Sequence, residues 1–179
     1  MIISAPGGLI LLDNIALAQF VYLLMNNEGI RSAIDTLASK TVLILGRFSE
    51  ERKKILNELR VHVRNCGYVP LMFDFDKPES RSLTETVRTL ASISKFVIAD
   101  LTDPKSVPHE LQAIIPHLNS VPVQPLIEAG GDSYGMFEDY KVYPWVLPVQ
   151  KYSIGGGDLG VVVSSVLRVV DEFIDLRKG

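Results

Sequence analysis

From Lys40 onward the chain repeats one pattern: a short unbroken apolar run, then a stretch with apolar residues every three or four positions. Residues 41–45, 68–73, 95–100, 121–127 and 145–149 are apolar with little alternation, as strands covered on both faces require. After Ser49, a good N-cap with Glu50 and Glu51 in the first turn, Ile55, Leu56, Leu59 and Val63 form one helical stripe. Cys66-Gly67 ends that helix, and Cys66 is expected to be a buried thiol there. Ser82-Leu-Thr-Glu85 is a capping box that opens a helix to about Ile93. Shorter helices are predicted near residues 107–115 and 134–140, and Asp158 is expected to cap a last helix running to about Arg177. Five strands alternating with helices predict a flavodoxin-like α/β three-layer sandwich. Its sheet should be parallel, in the order 2-1-3-4-5, with right-handed crossovers.

Residues 1–39 stand outside that repeat and read as a helical extension, with 40–179 as the α/β domain. Leu9–Leu12 and Ile15–Met25 are apolar but interrupted by Asp13, Asn14 and Gln19. Asp13 suits an N-cap, and Ile15, Ala18, Tyr22 and Met25 keep helical spacing. Asn26-Asn27-Glu28-Gly29 then breaks the helix and Ile30–Ala38 resumes it. A membrane span needs about 20 mainly apolar residues, and polar groups fall near the middle of this stretch. A signal peptide carries early basic residues, and none precedes Arg31. The expectation is a cytoplasmic protein with no membrane span, whose extension is the best candidate for self-association.

Composition narrows the function classes. The chain is 47% hydrophobic with a mean hydropathy of +0.21, an excess that the doubly covered strands and residues 9–25 account for. Lys and Arg number 18 against 21 Asp and Glu, for a net charge of -3, which argues against nucleic acid as partner. A single cysteine excludes a disulfide framework and a zinc site built on paired cysteines, and no metal is expected. Gly155-Gly-Gly-Asp-Leu-Gly160 matches the letters of a dinucleotide fingerprint, yet only one helix follows it. It reads as a turn before that helix.

In sheets of this order ligands bind beyond the carboxyl ends of the strands, where the order reverses. Three loops meet there: Gly46-Arg47-Phe48, Asp74 to Arg81, and Asp100 to Pro108. Arg47 and Arg81 are candidates to hold a phosphate, and Phe48 and Phe75 to stack on a ring. Asp74, Asp100 and Ser106 complete the candidate substrate-binding set.

Lys95-Phe-Val-Ile-Ala-Asp100, then Leu-Thr-Asp-Pro-Lys, then Ser106-Val-Pro-His-Glu110-Leu111 resembles the third strand and third helix of Toll/interleukin-receptor (TIR) domains. Phe73-Asp-Phe-Asp-Lys-Pro-Glu-Ser80 resembles that family's variable loop after strand 2, and Leu43 to Tyr152 resembles a bacterial TIR-like module sometimes found beside pentapeptide repeats. The resemblance implies cleavage or cyclisation of NAD at its nicotinamide N-glycosidic bond, in signalling or bacterial defence. NAD would be substrate rather than cofactor, and Glu110 the catalytic residue. One carboxylate suffices in principle, because nicotinamide leaves as a neutral group and only the oxocarbenium-like ribose needs stabilising. Two alternatives stay open: a non-catalytic TIR-like interaction scaffold, and a nucleoside or nucleotide N-glycosyl transferase or hydrolase. The second of these follows from a more distant similarity to nucleoside deoxyribosyltransferases.

Overall fold

A computed structural model describes residues 2–5, 8–11, 19, 22–23, 26–72, 83–103, 107–131, 135–154 and 158–177. Backbone contacts divide the chain into two units, Met1–Ser39 and Lys40–Gly179. In the first unit β1 (Ile2–Ala5) and β2 (Gly8–Leu11) pair antiparallel, with Ile2 opposite Leu11 and Ala5 opposite Gly8. The extension is therefore not helical throughout. Pro6-Gly7 separates two short apolar runs rich in isoleucine and leucine, and a glycine-containing two-residue connection favours a hairpin. Further on, α1 (Glu28–Lys40) starts where the Asn26-Asn27 break was expected, because Asn27 caps it: its Oδ1 accepts the Ile30 N–H at 3.1 Å. The predicted Asp13 cap lies outside the described residues. No helix among the described residues is long and apolar enough to cross a membrane.

The second unit holds the sheet. Its strands are β3 (Thr41–Leu45), β4 (Val69–Met72), β5 (Phe96–Asp100), β6 (Val123–Glu128) and β7 (Gln150–Tyr152). All pair in parallel in the order β4-β3-β5-β6-β7, which is the predicted 2-1-3-4-5. Helices α2 (Glu50–Asn65), α3 (Leu83–Ser92), α4 (Val107–Ile114) and α5 (Leu159–Leu176) cover it. Strand alternation splits the core in two. Val42, Ile44, Phe96 and Ile98 face α2 and α5, whereas Leu43, Leu45, Val97 and Ala99 face α3 and α4. Every residue of β3 and β5 is buried, which is why their sequences carry no polar alternation.

The fifth strand falls later than its apolar run. Within residues 145–149 Val146 makes only an isolated bridge to Val123, and the ladder resumes at Gln150 opposite Leu126. Pro125 and Pro148 explain the gap, since neither has an N–H to donate to a ladder. The Gln124 side chain fills it: Nε2 donates to Pro125 O at 2.9 Å and to Pro148 O at 2.8 Å. Two smaller expectations are also corrected. Cys66 is exposed, because it is the C-cap of α2 and Gly67, with φ +84°, turns the chain away from the core. Asp158 makes no capping bond; its carboxylate accepts the Ser153 N–H at 3.2 Å instead.

Candidate functional site

Asp100 is the last residue of β5, and alternation turns it to the α2 face with Phe96 and Ile98. Ser49 fixes the start of α2 by accepting the Arg52 N–H at 3.4 Å. That places Arg52 in the first turn, where it reaches over the carboxyl edge of the sheet. Arg52 Nη2 donates to Asp100 Oδ2 at 2.5 Å and also meets Tyr152 Oη, while Nη1 donates to Glu128 Oε2 at 2.8 Å. The Tyr152 hydroxyl bonds Asp100 Oδ1 at 3.1 Å, and the Thr102 N–H donates to the same oxygen at 3.0 Å. Thr102 Oγ1 accepts the Glu128 N–H at 2.9 Å. One network thus ties the ends of β5, β6 and β7 to the start of α2. Gly46 permits the close approach, since a Cβ there would lie 2.6 Å from a Leu56 methyl and 3.4 Å from Asp100 Cβ.

The network is nearly dry: Asp100 is 0% exposed, Tyr152 1% and Arg52 7%. Glu128 and Thr102, at its rim, are partly exposed. Burial works against the Arg52 charge, but the hydrogen bond and charge of Asp100, with Tyr152, outweigh it and hold the guanidinium above its usual range. Burial, then the Asp100 charge, push the Tyr152 hydroxyl up to about 12, against the opposing pull of Thr102 and Arg52. An unfolded tyrosine ionises near 10. The folded state therefore binds the extra proton between pH 10 and 12. Stability from neutral Tyr152 is complete below pH 10 and is lost as pH rises through that window. Tyr152→Phe removes the dependence, so the stability gap between wild type and Y152F should narrow from pH 9 to pH 11 in urea titrations. A gap that stays constant would show that Tyr152 does not titrate late.

The sequence-predicted residues are distributed unevenly around this edge. Arg47, two residues past β3, forms an ion pair with Asp103, three residues past β5. Phe48 is half-buried against the α2/α5 core. Asp100 has no exposed surface and serves Arg52, Thr102 and Tyr152. Glu110 is 2% exposed in the first turn of α4, on the same inward stripe as Val107, Leu111 and Ile114. Asp100 and Glu110 consequently belong to opposite layers. Asp74, Phe75, Arg81 and Ser106 lie outside the described residues. Sequence reasoning missed Arg52, Thr102, Glu128 and Tyr152. One signal was present: Arg52 precedes Ile55, Leu56 and Leu59 at helical spacing, which puts a cation on the buried stripe.

Beside Tyr152, a cavity of about 300 Å³ opens between α2 and the start of α5, lined by Ile55, Glu58, His62, Tyr152, Ile154 and Leu159, with Ser153. Among the described residues, no three His, Cys, Asp or Glu side chains cluster as a metal site.

The sequence matches no family model and no curated protein sequence. Among solved structures, a diflavin flavoprotein A3 from Nostoc sp. superposes on 78% of this chain and 97% of its own, with a TM-score of 0.52 and 10% identity. The TIR domains of the activated Roq1 resistosome cover 74% of this chain and 99% of theirs, with a TM-score of 0.49 and 15% identity. The constitutive lysine decarboxylase of E. coli covers 76% of this chain, which spans 18% of that enzyme, with a TM-score of 0.48 and 14% identity. At such identities the chemistry does not transfer. The strand order and the Nostoc structure together establish a flavodoxin-like α/β fold.

Proposed function

We propose that the α/β domain acts on the nicotinamide N-glycosidic bond of NAD, by hydrolysis or cyclisation, with Glu110 as the catalytic carboxylate. The observation that carries this reading is the position of Glu110. It is a carboxylate in the first turn of the helix that follows the central strand β5, at the edge where sheets of this order bind ligands. In hydrolysis the C1′–N bond breaks, nicotinamide departs with the bonding pair, and water adds to C1′ while losing a proton to solvent. Glu110 stabilises the cationic ribose or orients one of its hydroxyls. Arg47 and Phe48 follow β3, and Asp74, Phe75, Arg81 and Ser106 are the further substrate-binding candidates that the sequence offers. The same TIR-like reading makes the protein a signalling or defence module that self-associates through residues 1–39.

A specific observation favours a second reading, the non-catalytic scaffold. At 2% exposure Glu110 meets a substrate only after the start of α4 moves. One assay separates the two. Purified protein is incubated at high concentration with NAD, and in parallel with deoxynucleosides, and released base is quantified by chromatography. Nicotinamide release that falls at least about tenfold in Glu110→Gln supports NAD cleavage, a loss within the range for removing one transition-state contact. Free base from deoxynucleosides instead points to N-glycosyl transfer or hydrolysis on nucleosides. No turnover of either leaves the scaffold.

A further inference from the structure

The Arg47–Asp103 ion pair spans the point where the chain parts to the two faces of the sheet. After β3 the chain enters α2, which packs on the Val42/Ile44 face; after β5 it enters α4, which packs on the Leu43/Leu45 face. In sheets of this order ligands bind at that divergence, and Arg47 and Asp103 pair across it from the ends of β3 and β5. The two side chains are 26% and 59% exposed, so both are reached from solvent. Asp103 is also the one non-glycine residue with positive φ, +51°, among the described residues. Aspartate tolerates this conformation better than most residues, and here it aims a carboxylate at the guanidinium.

A guanidinium takes a phosphate through two parallel hydrogen bonds and a stronger charge than one carboxylate supplies. An exposed pair such as this is also readily exchanged. We infer that the Asp103 carboxylate is an internal occupant of an anion seat on Arg47, which a phosphate-bearing ligand of the nucleotide class must displace. Asp103 then sets the concentration at which phosphate ligands reach Arg47. The inference rests on this edge being the ligand site, as in the proposed function, and adds the device that gates entry of the phosphate.

Calorimetric titration with AMP and with adenosine tests it at fixed ionic strength. Asp103→Asn keeps a side chain suited to φ +51° and removes the charge. D103N should bind AMP about fivefold more tightly than wild type, from the lost competition of the ion pair for Arg47. Adenosine affinity should not change. Arg47→Gln should weaken AMP binding, and the D103N gain should vanish in the double variant. Asp139→Asn, at an exposed position in the 3₁₀ segment Gly135–Val142, controls for net charge and should show no gain. The inference is overturned if D103N binds AMP no better than wild type, if AMP and adenosine tighten equally, or if the gain persists without Arg47. AMP binding to none of the proteins overturns it too. Nicotinamide release is measured separately, so an absence of NAD turnover leaves this result readable by itself.

Discussion

Arg52→Met should lower the stability of the α/β unit by about 3–5 kcal/mol, the range for removing one partner of a buried ion pair. The substitution roughly conserves the length of the side chain, so little of the loss is packing. Its cause is Asp100, which has no exposed surface and loses the 2.5 Å bond to Arg52. Tyr152 and the Thr102 N–H remain as its donors and cannot neutralise it. Arg52→Lys should lose less but still substantially, because one ammonium cannot reach Asp100, Glu128 and Tyr152 with a fork of fixed geometry. The decisive comparison is the double variant R52M/D100L. Replacing both charges by apolar side chains removes the stranded carboxylate, and stability should return most of the way to wild type. Urea unfolding of wild type, R52M, D100L and R52M/D100L measures the cycle. A loss below about 1 kcal/mol in R52M would mean that the pair behaves as a surface contact, contrary to its burial.

The limits of the sequence are instructive at this same network. β3 and β5 were readable because Thr41–Leu45 and Phe96–Asp100 have no exposed side. Their alternation with helices carried the strand order with them. The last strand was misplaced because residues 145–149 are apolar yet include Pro148, whose missing N–H matters only opposite Pro125, itself 23 positions away. Asp100 ends a strand and Glu110 lies in the first turn of the helix that follows, so both carboxylates are legible from the local pattern. Arg52, by contrast, sits in Glu50-Glu-Arg-Lys-Lys54, which reads as a solvated charge run. Helical spacing to Ile55 and Leu59 places it on the buried stripe, but its partners lie 48, 76 and 100 residues away, and no local pattern records contacts of that range. The β1–β2 pair is hard to read for a different reason: its two runs are only four residues each, and their apolar content suits a helix equally well.

Phe96→Ala should cost about 3–5 kcal/mol, comparable to Arg52→Met but chiefly through packing. Phe96 is fully buried at the start of β5, in register with Val42 on β3 and facing α2 and α5. Its ring meets Tyr68 edge-on, with centroids 6.2 Å apart and planes at 79°. Tyr68 in turn belongs to a polar clasp at the amino edge of the sheet. Lys95 Nζ donates to Tyr68 Oη at 3.0 Å and to Asp171 Oδ1 at 2.6 Å, and lies 4.9 Å from the Tyr68 ring centre. Burial opposes the Lys95 charge, but Asp171 and Tyr68 outweigh it and hold the ammonium above its usual range. Truncating Phe96 removes the wall behind Tyr68, so part of the cost is a looser clasp. Two variants apportion it. Phe96→Leu keeps most of the volume and should lose about 1 kcal/mol; Tyr68→Phe keeps the ring and removes only the hydroxyl, for about 0.5–1.5 kcal/mol. If the clasp depends on Phe96, the F96A/Y68F double variant should lose less than the sum of its singles. Additive losses would confine the Phe96 contribution to its own cavity. Because Phe96 and Asp100 lie at opposite ends of β5, the loss of stability between pH 10 and 12 that marks Tyr152 should survive in F96A. Its disappearance there would show that packing at the amino edge controls the network at the carboxyl edge.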